Sequence, residues 1–402
     1  MNFLFVHQSM PAQFRHLATA LANDPRHKVV FITRQPDASL PGVTRISYRP
    51  SRAAHAATHH YVRLYENSVL HGQQVLRECL ALQKDGFRPD LIIAHPGWGE
   101  ALFLKDVFPR TPLLNYCEFY YHGLGFDVGF DPSTPAGLDT ICRARARNAH
   151  LLLSLESCDH GISPTHWQRE SHPDAFRHKI SVIFDGIDTN IVRPQADARF
   201  TLPNGDVLTQ QDEVVTYIAR NLEPYRGFPQ FMRAVPGILA ARPQARIVIV
   251  GGDEVSYGRN APDNKTWRQT MLDEVGPLDP ARVHMLPRIP YEAYLSLLRV
   301  STAHVYLTVP FVLSWSCFEA LAAGCVVVGS RTPPVQEVIT DGHNGLLVDF
   351  LNPRAIAATV TQAVANRGAL TGMRARARQT ILDRYALAHC LPAQLRLLQS
   401  LV

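Results

Sequence analysis

The sequence predicts an α/β protein built from two successive βα arrays, each a parallel sheet covered by helices. Short, continuously apolar runs such as DLIIAH at residues 90–95 and CVVVG at residues 325–329 recur, with helical stretches between them. Strands buried on both faces read as unbroken apolar runs, and intervening helices supply the crossovers that a parallel sheet needs. The pattern pauses in a polar segment, residues 195–211, with turn chemistry at Pro203-Asn204-Gly205-Asp206, and then starts again. A chain of 402 residues is also too long for a single hydrophobic core.

In chain order, strands are expected at residues 2–6, 28–33, 90–95, 113–117, 151–155 and 179–184. A first helix is expected over residues 13–22, where Phe14, Leu17, Ala18 and Leu21 fall at helical spacing. The restart brings strands at 214–219, 245–250, 283–286, 303–307, 325–329 and 345–348, and helices at 228–240, 291–299 and 316–323. Gly324 stops the last of these helices, and the chain is helical from Pro353 onward. The expected division is a first domain over residues 1–195, a second over 196–385, and a closing helix over 386–402. Ligands of such sheets bind beyond the carboxyl ends of the strands. Two such domains facing each other place those ends across one cleft.

Composition is that of an ordinary globular protein, 46% hydrophobic and 19% charged, with enough apolar material for two cores. No run reaches the roughly 18 apolar residues of a membrane span. Met1–His7 lacks a basic leader and a cleavage site, so residues 3–6 read as a buried strand. The seven cysteines, at 79, 117, 142, 158, 317, 325 and 390, show no metal-finger or redox spacing, which points to a reduced, cytoplasmic protein. Net charge is +5, a mild excess with no nucleic-acid signature. The cluster Arg143, Arg145, Arg147 reads as a solvated helix face; attraction to phosphates or to an anionic membrane surface, giving a peripheral location, is the sharper alternative.

The chemistry concentrates in the second array. The segment VPFVLSWSCFEALAAG, residues 309–324, joins a strand to a helix, where free backbone N–H groups favour an anion such as a diphosphate. Ser314 and Ser316, flanking Trp315, are small N-cap-type residues there, and Glu319 lies about one turn into the helix, placed to accept from two neighbouring hydroxyls such as a ribose diol. Arg220 and Arg226, in IARNLEPYRGF, flank a strand-to-helix connection and suit a diphosphate clamp. Gly251-Gly252-Asp253 closes a strand as close ligand approach requires, but it is not a dinucleotide fingerprint. In the first array, His7 and Gln8 end a strand, and His95-Pro96-Gly97-Trp98-Gly99-Glu100 forms a loop whose tryptophan suits sugar stacking. Glu118 follows the strand LLNYC and is equally placed to cap a helix.

These segments resemble the retaining glycosyltransferases of family 4, whose architecture, GT-B, is two facing Rossmann-like domains. Glu319 with Ala320-Leu321-Ala322-Ala323-Gly324 matches the second glutamate of the family's donor motif and its tail; the first glutamate, eight positions earlier, falls on Phe311. In the family the second glutamate binds the nucleotide ribose and the first touches the transferred sugar. Arg220 and Arg226 look like the family's arginine–lysine pair on the donor diphosphate, with arginine replacing lysine at 226. Residues 249–258 resemble its glycine-rich turn, and Met285–Pro290, with Arg288, stands where the family's backbone reads the base. A histidine that contacts the donor sugar in many members is replaced here by Cys117-Glu118, and Asp185-Gly186-Ile187-Asp188 resembles the turn between the domains. As in relatives, the final helix, with Leu391, Leu395, Leu397 and Leu398, is expected to return to the first domain.

The expected function is therefore transfer of a sugar from a UDP-, GDP- or dTDP-sugar to a glycan, lipid-linked or small-molecule acceptor. Retention of configuration and independence of any cofactor or metal are what the resemblance implies. Arg220, Arg226, Glu118 and His95 are the candidate catalytic residues. Glu319, Ser314, Trp315, Ser316, Gly252, Asp253, Arg288 and Phe311 are the donor-side candidates, and His7, Gln8 and Trp98 the acceptor-side ones. Two rivals stand beside this reading: a non-hydrolysing nucleotide-sugar epimerase, and a catalytically inactive nucleotide-sugar-binding partner.

Overall fold

The computed structural model describes all residues, Met1–Val402, and divides into two compact units. The first comprises Met1–Gly186 together with Leu387–Val402, and the second Ile187–Ala386. The chain thus leaves the first unit at the Gly186 turn, before the polar stretch at 195–211 that suggested the division from sequence.

The first unit contains seven strands: β1 (Asn2–Val6), β2 (Lys28–Thr33), β3 (Val43–Ser47), β4 (Leu91–Ala94), β5 (Leu113–Tyr116), β6 (His160–Ser163) and β7 (Ile180–Val182). All pairs are parallel, in the order β3-β2-β1-β4-β5-β6-β7. The sheet is covered on both faces, which is why its central strands are apolar at every position. Leu4, Val6, Ile92 and Ala94 pack on one side with Val75 and Cys79, while Phe3, Phe5, Leu91 and Ile93 pack on the other with Phe14 and Leu17. Full burial of each such large side chain contributes about 1.5–3 kcal/mol. The last helix, Leu387–Gln399, lies on that second face: Leu391, Leu395, Leu397 and Leu398 join its cluster, and Gln394 Nε2 donates to Phe184 O at 2.9 Å.

One strand expectation fails. Residues 151–155 lie inside the helix Ala149–Ser157. Leu151 and Leu155, four apart, are buried, whereas Leu152 and Leu153 are 43% and 47% exposed, so the leucine run covers one helical face. The strand beside β5 is the more polar His160–Ser163, which offers one large apolar residue and hence little sequence signal. The strand β3 and the long helix Arg63–Lys84 also went unread, both being rich in polar and charged residues.

The second unit opens with an antiparallel hairpin, β8 (Arg199–Thr201) and β9 (Val207–Thr209). Its sheet comprises β10 (Val214–Asn221), β11 (Arg246–Gly252), β12 (Val283–Leu286), β13 (Ala303–Tyr306), β14 (Val327–Ser330) and β15 (Leu346–Val348). The strands are parallel, in the order β12-β11-β10-β13-β14-β15. In each sheet the unit's leading strand, β1 or β10, is central and the order reverses beside it, creating a crevice at the carboxyl ends. No helix is long and apolar enough to cross a membrane.

Candidate functional site

In the second unit the residues nominated from sequence gather at the carboxyl ends of β10, β11, β12 and β13. Arg220 stands where the pairing of β10 with β11 shifts register, and an irregularity of this kind re-aims a side chain at a strand end. It is exposed and makes no ion pair. The chain then turns through Pro224–Arg226 and Gly227, which has φ 68°. A Cβ on Gly227 would lie 2.5 Å from that of Leu307, so only glycine fits between the turn and β13. This tight turn brings Arg226 against the loop that precedes the helix Trp315–Ala322. Its Nη1 donates to Thr308 Oγ1 at 2.9 Å and to Val312 O at 3.0 Å, and its guanidinium carbon lies 5.5 Å from the centre of the Tyr257 ring.

The start of that helix has no side-chain cap. Ser314 holds the N-cap position, but its hydroxyl pairs with Ser316 Oγ at 2.6 Å and makes no capping bond to a backbone amide. Its own N–H donates to the Tyr306 hydroxyl at 2.9 Å. Further along the helix, Glu319 Oε1 accepts from the Tyr291 hydroxyl at 2.7 Å and Oε2 from Tyr294 at 2.8 Å. The two tyrosines are three apart on the helix Tyr291–Val300, which puts both phenols on one side. Burial, and then the neighbouring Glu319, push the Tyr294 phenol well above its ordinary range, so it stays a donor. The carboxylate is thus satisfied by two O–H groups, the pattern that a ribose diol presents.

The other donor-side candidates are more heavily committed. Arg288 donates to Arg220 O, Asn221 Oδ1 and Glu254 Oε2, at 3.2, 2.7 and 2.5 Å. Gly252 packs so closely on Asn221 that a Cβ would lie 2.6 Å from its Oδ1. Asp253 is held by Arg268 at 2.7 Å, on the surface. Phe311 is buried edge-on against Tyr225 and Tyr257, with ring centres 5.6 and 5.0 Å away. Glu223, which sequence reading passed over, is 1% exposed and accepts the amides of Ser256 and Tyr257 at 3.0 and 2.8 Å, tying the loop after β11 to the end of β10. Burial raises its carboxyl above the usual range.

The first unit forms a chain of polar groups at the ends of β1, β4 and β5. His7 Nδ1 accepts the Ser9 amide at 2.8 Å, so Nε2 carries the proton toward Gln13 Oε1 at 3.0 Å. Gln13 Nε2 donates to Glu118 Oε1 at 3.0 Å. His95 Nδ1 likewise accepts the Gly97 amide at 3.1 Å, and its buried Nε2, which makes no hydrogen bond, lies 3.5 Å from Glu118 Oε2. Burial, and then His95, hold the His7 imidazole well below its ordinary range, so it is neutral. His95 stacks between Trp98 and Tyr116, with centres 4.9 and 5.4 Å away. Glu118 therefore converges with His7 and His95, while its backbone oxygen accepts Gln168 Nε2 at 2.9 Å.

Beside this chain, Gln8 and Trp98 line a cavity of about 740 Å³ that sequence reading did not assemble. Under its floor is Glu100, fully buried, whose Oε1 accepts the Tyr48 hydroxyl at 2.5 Å; the same hydroxyl lies 3.0 Å from His71 Nδ1. Burial raises the Glu100 carboxyl and lowers His71 to about 4. Nothing marks Tyr48, His71 and Glu100 as partners in sequence, because they come from a strand end, a helix and a loop. No group of three or more His, Cys, Asp or Glu side chains is arranged to hold a metal ion.

Two family models match the chain, one over each unit's part of the sequence. The model of the glycosyl transferase family 4 group matches residues 25–192, and that of glycosyl transferases group 1 matches residues 204–380. The chain belongs to the family-4 glycosyltransferases. It is 30% identical over 206 residues to a D-inositol 3-phosphate glycosyltransferase of Nocardioides, a match covering 48% of this chain and 42% of that protein. A protein of the same name from Corynebacterium glutamicum is 31% identical over 192 residues, covering 46% and 43%. The chain thus spans less than half the length of these curated relatives. Among solved structures, sucrose-phosphate synthase from Thermosynechococcus elongatus superposes with a TM-score of 0.74 at 18% identity, covering 100% of this chain and 99% of the other. Anabaena HepE in complex with UDP-glucose gives 0.69 at 14% identity, with both chains fully covered. These likenesses establish the GT-B architecture.

Proposed function

We propose that this family-4 glycosyltransferase moves a sugar from a nucleoside-diphosphate sugar to an acceptor hydroxyl. The observation that carries the reading is the assembly at the carboxyl end of the second sheet. There Arg226 is anchored to the loop before a helix start, Arg220 is exposed and unpaired, and Glu319 already holds two hydroxyl donors. Departure of the nucleoside diphosphate leaves negative charge on its outer phosphate. Guanidiniums and first-turn amides fixed in advance stabilise that charge without reorganising. Glu319 takes the ribose hydroxyls in the place, or beside the place, of Tyr291 and Tyr294.

A uridine donor is the first to test, because HepE, of the same fold, was solved with UDP-glucose and with UDP and glucose. Glu118, with His95 and Gln13 against it, is placed to orient the reacting acceptor hydroxyl, and Trp98 offers it an aromatic face. Transfer with retention follows the family resemblance. So does work on the cytoplasmic side of the membrane, either free or peripherally attached.

The deciding experiment incubates the pure protein with a panel of UDP-, GDP- and dTDP-sugars and follows release of the nucleoside diphosphate. Release, by transfer or by slow donor hydrolysis, is expected with one nucleotide class. Isomerised donor would mean an epimerase, and binding without turnover an inactive partner. Failure of every nucleotide sugar to bind would sink the reading altogether.

A further inference from the structure

The cavity of the first unit opens where β1, β2, β3 and β4 end, at Gln8, Arg34, Arg49 and the Gly97-Trp98 loop. Four guanidiniums line it, from Arg34, Arg49, Arg52 and Arg147, and no aspartate or glutamate does. Arg52 is neutralised by Glu66 at 2.6 Å. The other three have no ion pair. Arg34 gives one N–H to Gln8 Oε1 at 3.2 Å, and Arg147 lies over the Tyr121 ring, 3.7 Å from its centre. Several arginines elsewhere are matched with carboxylates, as in Arg177 with Glu170 and Asp174, Arg242 with Glu213, or Arg268 with Asp253. Three uncompensated guanidiniums around one concavity repel one another and raise its potential, and an anion relieves both effects.

The remaining wall is neutral, apolar at Pro50, Ala53 and Leu64 and polar elsewhere. Asn67, Ser68, His71 and His150 supply hydrogen-bonding groups, and Trp98, 38% exposed, supplies an aromatic face. His150 Nε2 faces the Gly97 carbonyl at 3.0 Å, so it carries the proton, and Nδ1 keeps a lone pair with no partner. The lining therefore asks for a ligand with a charged anionic end and a hydroxylated body. Flat guanidinium forks match the oxygens of a phosphoryl group better than any other common anion except a carboxylate, and three of them exceed what one carboxylate can use.

We propose that the acceptor of this enzyme carries a phosphoryl group, and that Arg34, Arg49 and Arg147 hold it in this cavity while Trp98 and the neutral polar wall take the sugar or polyol to which it is attached. The proposal rests on the transferase reading for the word acceptor, but the anion site stands on its own geometry. Two sources share the chemistry: a soluble sugar phosphate, and a sugar carried on a prenyl phosphate or diphosphate.

Calorimetry on the full chain tests it, with glucose 6-phosphate against glucose as soluble probes, and vesicles of phosphatidylcholine with and without prenyl phosphate as the second arm. The phosphorylated probe of one arm is expected to bind at least about ten-fold more tightly than its neutral counterpart, the scale of one or two charge-assisted hydrogen bonds. Arg34→Ala and Arg49→Ala should each remove most of that advantage, Arg49→Lys should restore part of it, and the affinity for UDP should hold. Both arginines are exposed, so the variants should keep the wild-type circular dichroism spectrum. A soluble-only response identifies a free sugar phosphate, and a vesicle-only response a lipid-linked one. Equal binding of charged and neutral probes in both arms, or binding indifferent to the arginines, overturns the proposal. Failure of UDP and every donor to bind overturns the transferase reading instead, and leaves an arginine-dependent anion site intact.

Discussion

The two sheets end in chemically opposite surroundings. At the carboxyl end of the second sheet the cations are largely spent on structure: Arg226 ties down a loop, Arg288 joins β10 to the loop after β11, and Arg268 holds Asp253. Glu319 and Glu223 are likewise satisfied by protein donors. At the corresponding end of the first sheet, three guanidiniums share a cavity without a carboxylate, above buried imidazoles that are kept neutral. One topology thus carries a site whose charged groups, Arg220 excepted, are held by protein partners, and another whose cations are left for a ligand to hold. The same fold tolerates both because strand order fixes where the ends meet, while the residues after each strand fix what they carry.

The comparison breaks most visibly in acid. His71, His150 and His172 of the first unit are each lowered by burial to about 4, and His7 is held well below its ordinary range; in the second unit burial lowers His304, also to about 4, and His284. Their stabilisation is complete above the unfolded imidazole value near 6.5 and is lost as pH falls through about 4, because the unfolded chain takes the protons first. Each fully buried imidazole accounts for about 3 kcal/mol across that window. Hydrogen exchange from neutral pH downward should show peptides of Met1–Gly186 opening before those of Ile187–Ala386. Simultaneous opening would mean that the imidazoles do not set acid stability.

Next in size is the anchored arginine. Arg226→Ala should weaken UDP binding by about 1.5–3 kcal/mol in calorimetry, since it removes a charge and frees Thr308 and the loop carbonyl of Val312. Arg220→Ala should cost a similar amount if both clamp the diphosphate. Unchanged affinity in both variants would take the clamp away.

Glu319→Gln sharpens the donor side further. It keeps shape but removes charge and one acceptor oxygen, so nucleoside diphosphate should bind about 1 kcal/mol more weakly while inorganic pyrophosphate binds as before. The 2′-deoxynucleotide should lose less than the ribonucleotide, and equal losses would exclude a contact to the 2′-hydroxyl. The smallest effect is expected at Asp253. Its carboxylate faces Arg268 at the surface, so Asp253→Asn should change stability by less than about 0.5 kcal/mol and leave UDP affinity within experimental error. A clear loss of affinity would return Asp253 to the donor site.

Local pattern alone determined the two βα arrays, because burial of a strand on both faces imposes an apolar run that neighbouring residues display directly. Arg226 and Glu319 are legible as candidates, through their distance from a strand end or a helix start together with their resemblance to the family's motifs. Where local pattern was ambiguous it misled, as at Leu151–Leu155, whose run satisfies strand and helix alike until tertiary burial picks one face. What only the tertiary structure decided is convergence. Arg34, Arg49 and Arg147 come from two strand ends and a helix, with Arg34 and Arg147 more than a hundred positions apart, and Tyr48, His71 and Glu100 come from a strand end, a helix and a loop. Phe311 turns into an aromatic cluster, and Glu319 finds its two phenols, through packing that no spacing announces. Periodicity encodes which residues share a face of one element. The charge of a pocket is a sum over several elements, and strand order, which sets that sum, is settled by packing of the whole sheet.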